Sequence, residues 1–302
     1  MPVPTLLDLA KLDAGVGYPI IEEAVKNAPE LRVVPASTIL GTTMELTVRT
    51  GLPSVAFRDA NQGVARSKSN YETKTFQTHI LDHQIAVDEQ IVNGAKDRGR
   101  LLENHVTGVM EAAMQYVGSQ FYYGTGHDAK GFPGLLAQYA ADTDHTVDAG
   151  GATAKTSVWF LKLGPECLEF LFGNGQTIGL NDTWELETVY DGEGNPYKAW
   201  TNWMTGRIGM RLANRHCAVR IKNLEEAGSN KKTLNDALLY AAYEKFTEFG
   251  MEPTHIVMNG RSREQLRGSR TATNPAGNPA PLPTEWEGIP IIRTASIVNS
   301  EA

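Results

Sequence analysis

The sequence predicts an α+β fold, and three observations carry the prediction. Apolar and polar residues alternate over several separate stretches, the pattern of half-buried strands. Residues 97–124 instead repeat their apolar positions every three or four residues, the pattern of one long helix. Capping-box spacings at Thr5/Asp8 and Thr233/Asp236 start further helices on either side of the strand-rich middle.

In chain order, a short helix is expected from Thr5 to Lys11. A second is expected to start at Pro19, with Ile21, Val25 and Ala28 on one face and Pro29 closing it. Both are shorter than the ~12 to 15 residues at which an isolated helix becomes marginal in water, so this arm needs a surface to lie on. From residue 31 to 92 the pattern is that of strands. Met44, Leu46 and Val48 alternate with Thr43, Glu45 and Thr47, and Phe76, Thr78, Ile80, Ile85 and Val87 return. That reads as a long hairpin. Its tip, residues 51–69, has only Leu52, Val55, Phe57 and Val64 as substantial apolar residues and cannot bury itself; a two-stranded ribbon is marginal alone, so it must rest on the body or on a neighbouring copy.

The helix over 97–124 carries Leu102, Val106, Val109, Ala113, Val117 and Phe121 in one stripe and is expected to be about 40 Å long, a structural spine ended by Gly124. A turn-rich passage follows to Gly151. A strand is expected over 157–162, and then a helix started by Pro165 that contains Cys167, Leu168 and Leu171. Residues 184–190 and 197–203 flank the turn Asp191-Gly192-Glu193-Gly194-Asn195, and the alternation continues through Ile208, Met210, Leu212, Cys217, Val219 and Ile221. The last expected elements are a helix from the Thr233 box to Gly250, a strand at 255–258, a short helix at 261–266, a proline-rich loop over 271–283 and a strand at 289–293.

Composition narrows the function. The 302 residues are 41% hydrophobic and 21% charged, ordinary for a folded protein. No apolar run approaches the ~18 residues of a membrane-spanning helix, and the start Met1-Pro2-Val3-Pro4-Thr5 lacks the segments of a signal peptide. The expectation is a chain that stays in the cytoplasm where it is made. Cys167 and Cys217 are expected as buried free thiols. The net charge of -7 disfavours nucleic-acid binding through bulk charge.

Searches for chemistry end without a site. Gly126 and Gly131 have P-loop spacing, but Phe132 stands where the lysine belongs and a helix precedes them. His79 and His83 are four apart in a strand pattern without the metalloprotease glutamate, and His216 beside Cys217 is unspecific. Asp191, Glu193 and Asn195 alternate like calcium ligands, yet the pattern stops at Pro196. No catalytic, cofactor or metal site is expected. The hairpin is more informative: between residues 49 and 74 it carries Arg49, Arg58, Arg66, Lys68 and Lys74 against Asp59 and Glu72, a net +3 on an acidic chain. A basic extension and an acidic body are complementary, so Arg49, Phe57, Arg58, Arg66 and Lys68 are the candidate inter-subunit contacts.

Four short motifs stand in order around the spine: Gly131-Phe132-Pro133-Gly134-Leu135, Ser157-Val158-Trp159-Phe160 leading to Gly164-Pro165, the strand ending Arg220-Ile221-Lys222-Asn223, and Glu287-Gly288-Ile289-Pro290-Ile291. With the order arm, hairpin, spine and mixed α/β region, the chain resembles the tailed-bacteriophage major capsid proteins of the Hong Kong 97-type fold. The resemblance implies an N-terminal arm at 1–33, an extended E-loop hairpin at 34–95, a peripheral domain with the spine helix at 96–155, and an axial domain at 156–302 whose strands return to the peripheral sheet. It implies self-assembly into an icosahedral shell of hexamers and pentamers around DNA, in the virion, with assembly in the host cytoplasm and no catalysis. Because a helix starts near Thr5, a separate scaffolding protein is expected, together with a portal, a cement protein and non-specific DNA contact on the inner face. The hairpin offers only Lys68 and Lys74, both away from the outermost residues of the tip, so contacts are expected to be non-covalent. The alternatives are the shell of a cellular nanocompartment with the same fold and, in another class, a metal-dependent enzyme using His79, His83 or His216.

Overall fold

The structure, a computed structural model, describes residues 28–301 except 140–141, 176, 182, 227, 229–230 and 273–277. The two helices expected before Pro29 lie outside the described residues. After a 3-10 turn at Pro29–Arg32 come β1 (Ala36–Thr38), β2 (Thr43–Gly51), β3 (Asn70–Gln77) and β4 (His79–Asp88). The sequence pattern extended this last strand to Val92. Instead the Asp88 carboxylate accepts a hydrogen bond from the Gln90 N–H at 2.7 Å and caps a short helix, Glu89–Gly94.

The spine is the helix Arg98–Tyr123, 26 residues or about 39 Å at 1.5 Å per residue. Asp97 caps it by accepting from the Arg100 N–H at 3.0 Å. Its Ala113, Val117 and Phe121 are buried, while Leu102, Val106 and Val109 pack half-buried beside Ile85, Val87 and Leu101. At its end Gly124 has φ +53°, and a Cβ there would collide with the backbone nitrogen of Gly134. Only glycine fits that crossing of the chain.

Beyond the spine lie β5 (Thr146–Asp148), β6 (Thr156–Leu161), β7 (Leu168–Phe172), β8 (Gly179–Leu180), β9 (Glu185–Tyr190), β10 (Pro196–Leu212), β11 (Ala218–Leu224), β12 (His255–Met258), β13 (Glu285–Trp286) and β14 (Ile289–Arg293). They form two sheets. The first runs β1-β7-β10-β4, with β8 and β9 also paired to β10; the second runs β13-β14-β12-β6-β11-β5; β2 and β3 form a ribbon of their own. Strand β6 joins two cores. Trp159 and Leu161 enter the core that holds Phe121, Phe132, Phe170 and Met210, whereas Val158 and Phe160 enter the core under the helix Asp236–Glu248 with Ile221, Phe246 and Ile256.

Four more sequence expectations are corrected. The helix expected from Pro165 is strand β7. Both faces of that strand are buried, so no clean alternation shows, and its Glu169 is tolerated inside through an ion pair with Arg211 and a 2.7 Å hydrogen bond from the Ser37 hydroxyl. The helix expected from the Thr233 box is capped by Asn235, which accepts from the Leu238 N–H at 3.0 Å. The helix expected at 261–266 spans Gly260–Ala272. Finally, Cys167 and Cys217 are not free thiols: they form a disulfide, Cα atoms 5.4 Å apart across a sequence separation of 50. Spacing alone could not pair them, because they meet only where the two sheets join.

Glu225 ties the outer loops of the second sheet. Its carboxylate accepts from the N–H groups of Ala152 at 2.9 Å, Thr153 at 3.1 Å and Lys232 at 3.1 Å. The backbone N–H groups of Ala152, Lys232 and Thr153 hold its pKa down at about 2 against an ordinary 4.5. A depressed carboxylate stabilises the fold fully above its unfolded value and loses that contribution as pH falls through the folded one. The unfolding temperature of the wild-type subunit is therefore expected to fall more steeply between pH 4.5 and 2 than that of Glu225→Gln. Parallel curves would contradict this role.

Candidate inter-subunit site

The ribbon β2–β3 leaves the body at a defined root. Thr78 is buried there, and its N–H and hydroxyl both donate to the Thr42 carbonyl, at 2.8 and 3.0 Å. Gly209 of β10 lies directly beneath: a Cβ on it would stand 2.6 Å from the Gln77 carbonyl oxygen. Arg211, already paired with Glu169, also reaches the Met44 sulfur at 3.3 Å. The ribbon's base is thus fixed to the first sheet, and a cleft of about 970 Å³ separates its middle from residues 211–216.

Further out the strands pair only with each other, from Thr43↔Gln77 to Gly51↔Asn70 with a bulge between Arg49 and Gly51. Arg49 lies over the Tyr71 ring, 5.6 Å from its centre. Hydrogen bonds from Ser69 and then Arg49 lower the Tyr71 phenol below its ordinary value. Every residue from 52 to 68 is exposed. The tip is shaped by its own contacts, Arg58 Nη1 to the Gln62 carbonyl and Ser67 Oγ to the Ser54 carbonyl, each 3.0 Å. Phe57 has no cover at all, and Leu52 and Val55 are 77% and 91% exposed. The structure therefore places Phe57, Arg58, Arg66 and Lys68 together on one protruding tip, with Arg49 on its stem.

The histidines set aside above occupy separate places. His79, on β4, has its Nδ1 2.9 Å from the Lys130 carbonyl, and His83 lies exposed further along the same strand. His216 Nδ1 is 2.8 Å from His145 Nε2, whose ring is oriented by Asp142 at 2.7 Å, and Phe249 stacks on both rings. Burial lowers the His216 pKa, and neighbouring His145 and Arg215 lower it further. Among the described residues no group of three or more His, Cys, Asp or Glu could hold a metal ion. Sequence reading missed His145 and Asp142. It also missed a buried hub at Glu301, which accepts from Tyr123 at 2.9 Å, Ser157 at 2.7 Å and Arg220 at 2.7 Å. No local signal marks either cluster, since each gathers residues from distant segments.

The family model described as "Major capsid protein GP7" matches residues 19–302. The chain belongs to the major capsid protein GP7 family. This capsid protein shares its fold with a chain of a solved structure of bacteriophage Epsilon15, with a TM-score of 0.74 and 18% identity over 100% of this chain and 97% of that one. More remote likenesses are a Microbacterium phage Oxtober96 structure, TM-score 0.48 with 12% identity over 72% and 98% of the two chains, and the holo-SrpI encapsulin complex from Synechococcus elongatus, TM-score 0.48 with 7% identity over 73% and 96%. No curated protein sequence matches. The fold is the expected phage capsid fold, and the capsid protein builds the shell of a tailed phage from copies of itself.

Proposed function

We propose that the β2–β3 ribbon is the clasp by which each subunit holds its neighbour, in a shell of hexamers and pentamers around DNA. The observation that carries this reading is the tip itself, where Leu52, Val55 and Phe57 stand in solvent on a cationic ribbon with no cover from the described residues of the chain.

The acceptor has the opposite charge. Strand β9 and the turn after it are mostly exposed and bear Glu185, Glu187, Asp191 and Glu193 against one basic residue, Lys198, on the facing part of β10. Basic tip and acidic hairpin give orientation and speed of encounter, while the apolar side chains supply binding strength. Many such modest contacts become strong collectively once symmetry closes. In this reading residues 96–155 form the peripheral domain with the spine, and 156–302 the axial domain, whose strands return to the peripheral sheet. A separate scaffolding protein, a portal, a cement protein and the packaged DNA complete the set of partners, and assembly takes place in the host cytoplasm.

The double variant Arg58→Glu/Arg66→Glu tests the electrostatic part. It is expected to unfold at the wild-type temperature, because both side chains are exposed, yet to give at least about tenfold fewer shells at low salt. Normal shell yield from this variant would remove the tip cations from the interface.

A further inference from the structure

The Cys167–Cys217 disulfide occupies a particular place in the topology. Residues 162–167 carry the chain from β6 in the second sheet to β7 in the first; residues 213–217 carry it back from β10 in the first sheet to β11 in the second. These two crossings run in opposite directions and are already hydrogen-bonded. The Ala213 N–H donates to the Cys167 carbonyl, and the Lys162 N–H donates to the Cys217 carbonyl, both at 2.8 Å. The disulfide adds a covalent bond between the two crossings, in the core shared by both sheets. It closes a loop that contains all of β7 to β10, so the greater part of the first sheet is tethered where it meets the second.

A reducing cell interior keeps such thiols reduced, whereas the medium outside oxidises them. The buried cores and the backbone hydrogen bonds at the crossings are contacts that do not pass through the bond. Cys217 is fully buried and Cys167 is 6% exposed. A pair so enclosed exchanges slowly with small thiols and disulfides, which reach it through local opening of the junction.

We propose that Cys167 and Cys217 are an oxidative modification site that latches the finished shell: a dithiol while the subunit folds and assembles, a disulfide once the particle meets an oxidising medium. The oxidant is a low-molecular-weight disulfide. One cysteine thiolate attacks it, releasing a small thiol and leaving a mixed disulfide; the second cysteine thiolate displaces the other small thiol. The two cysteines lose two electrons and two protons, and the small disulfide gains both. The bond pins the junction between the two sheets, so that each subunit of the finished shell is held across its own core. The timing rests on the reading that shells form inside the cell.

The test counts thiols in the full-length capsid protein. Cells producing it are quenched in acid and alkylated under denaturing, non-reducing conditions, in parallel with purified particles incubated with oxidised glutathione. Two alkylated cysteines per subunit are expected in the quenched cells, and none in the particles, where a non-reducing peptide map should join the Cys167 and Cys217 peptides. Thiols that remain alkylatable in the oxidised particles, or a bond already complete in quenched cells, would overturn the latch. A second measurement needs no variant to fold as well as wild type. Dithiothreitol with mild heating is expected to lower the dissociation temperature of oxidised wild-type shells by about 5–10 °C and to leave Cys167→Ala shells unmoved. An equal response in both, or none in wild type, would overturn it as well. Electron microscopy of the same samples keeps the readings apart: missing shells count against assembly, persistent thiols against the latch.

Discussion

Deletion of residues 51–67 is expected to yield a subunit that folds and forms no shells. The excised tip contributes no residue to the three buried clusters, and its hydrogen bonds from Arg58 and Ser67 end within the tip. Its removal joins Thr50 to Lys68 beside Arg49↔Tyr71, the last pair it leaves intact, so a four-residue turn through Thr50, Lys68, Ser69 and Asn70 can close the ribbon. The fold keeps its root at Thr42, Thr78 and Gly209. Lost instead are Leu52, Val55 and Phe57, each worth roughly 1.5–3 kcal/mol when fully buried against a partner. That loss repeats at every subunit contact in a shell, which is why assembly fails rather than weakens. Circular dichroism and size-exclusion chromatography check the first half of the expectation, and electron microscopy the second. Normal shells from the deleted protein would refute the clasp.

Glu301→Ala is expected to destabilise the subunit by about 3–5 kcal/mol, the range for removing one partner of a buried ion pair. Arg220 pairs with this carboxylate at 2.7 Å while lying over the Trp159 ring, and Tyr123 at the end of the spine and Ser157 on β6 donate to the same group. One side chain therefore joins the spine to the second sheet. Glu301→Gln keeps an acceptor for the two hydroxyls and should lose less. Denaturant titration of the unassembled subunit measures both, and a loss under about 0.5 kcal/mol for the alanine variant would contradict the role assigned to the hub.

The elements that were legible from sequence are those whose cause is local. Asp97 and Gly124 bracket the spine, the turn 191–195 marks its hairpin, and strands β12 and β14 lie where alternation places them. The tip was legible for the same reason, because a stretch with so few apolar residues and a surplus of arginine cannot be core. Strand β7 was misread because burial on both faces erases the period of two, and Glu169 finds its partner, Arg211, forty-two positions later. The disulfide, the Glu301 hub and the Asp142–His145–His216 chain depend on long-range closure. Residues 142 and 216, or 123 and 301, carry no mark of each other until the sheets are packed.

Negative-stain electron microscopy of the full-length protein, produced alone and together with the proposed scaffolding protein, tests the assembly reading most directly. Closed particles of uniform diameter are expected, with subunits arranged in rings of five and six. Monomers or open aggregates under both conditions, from a protein whose circular dichroism shows it to be folded, would contradict it.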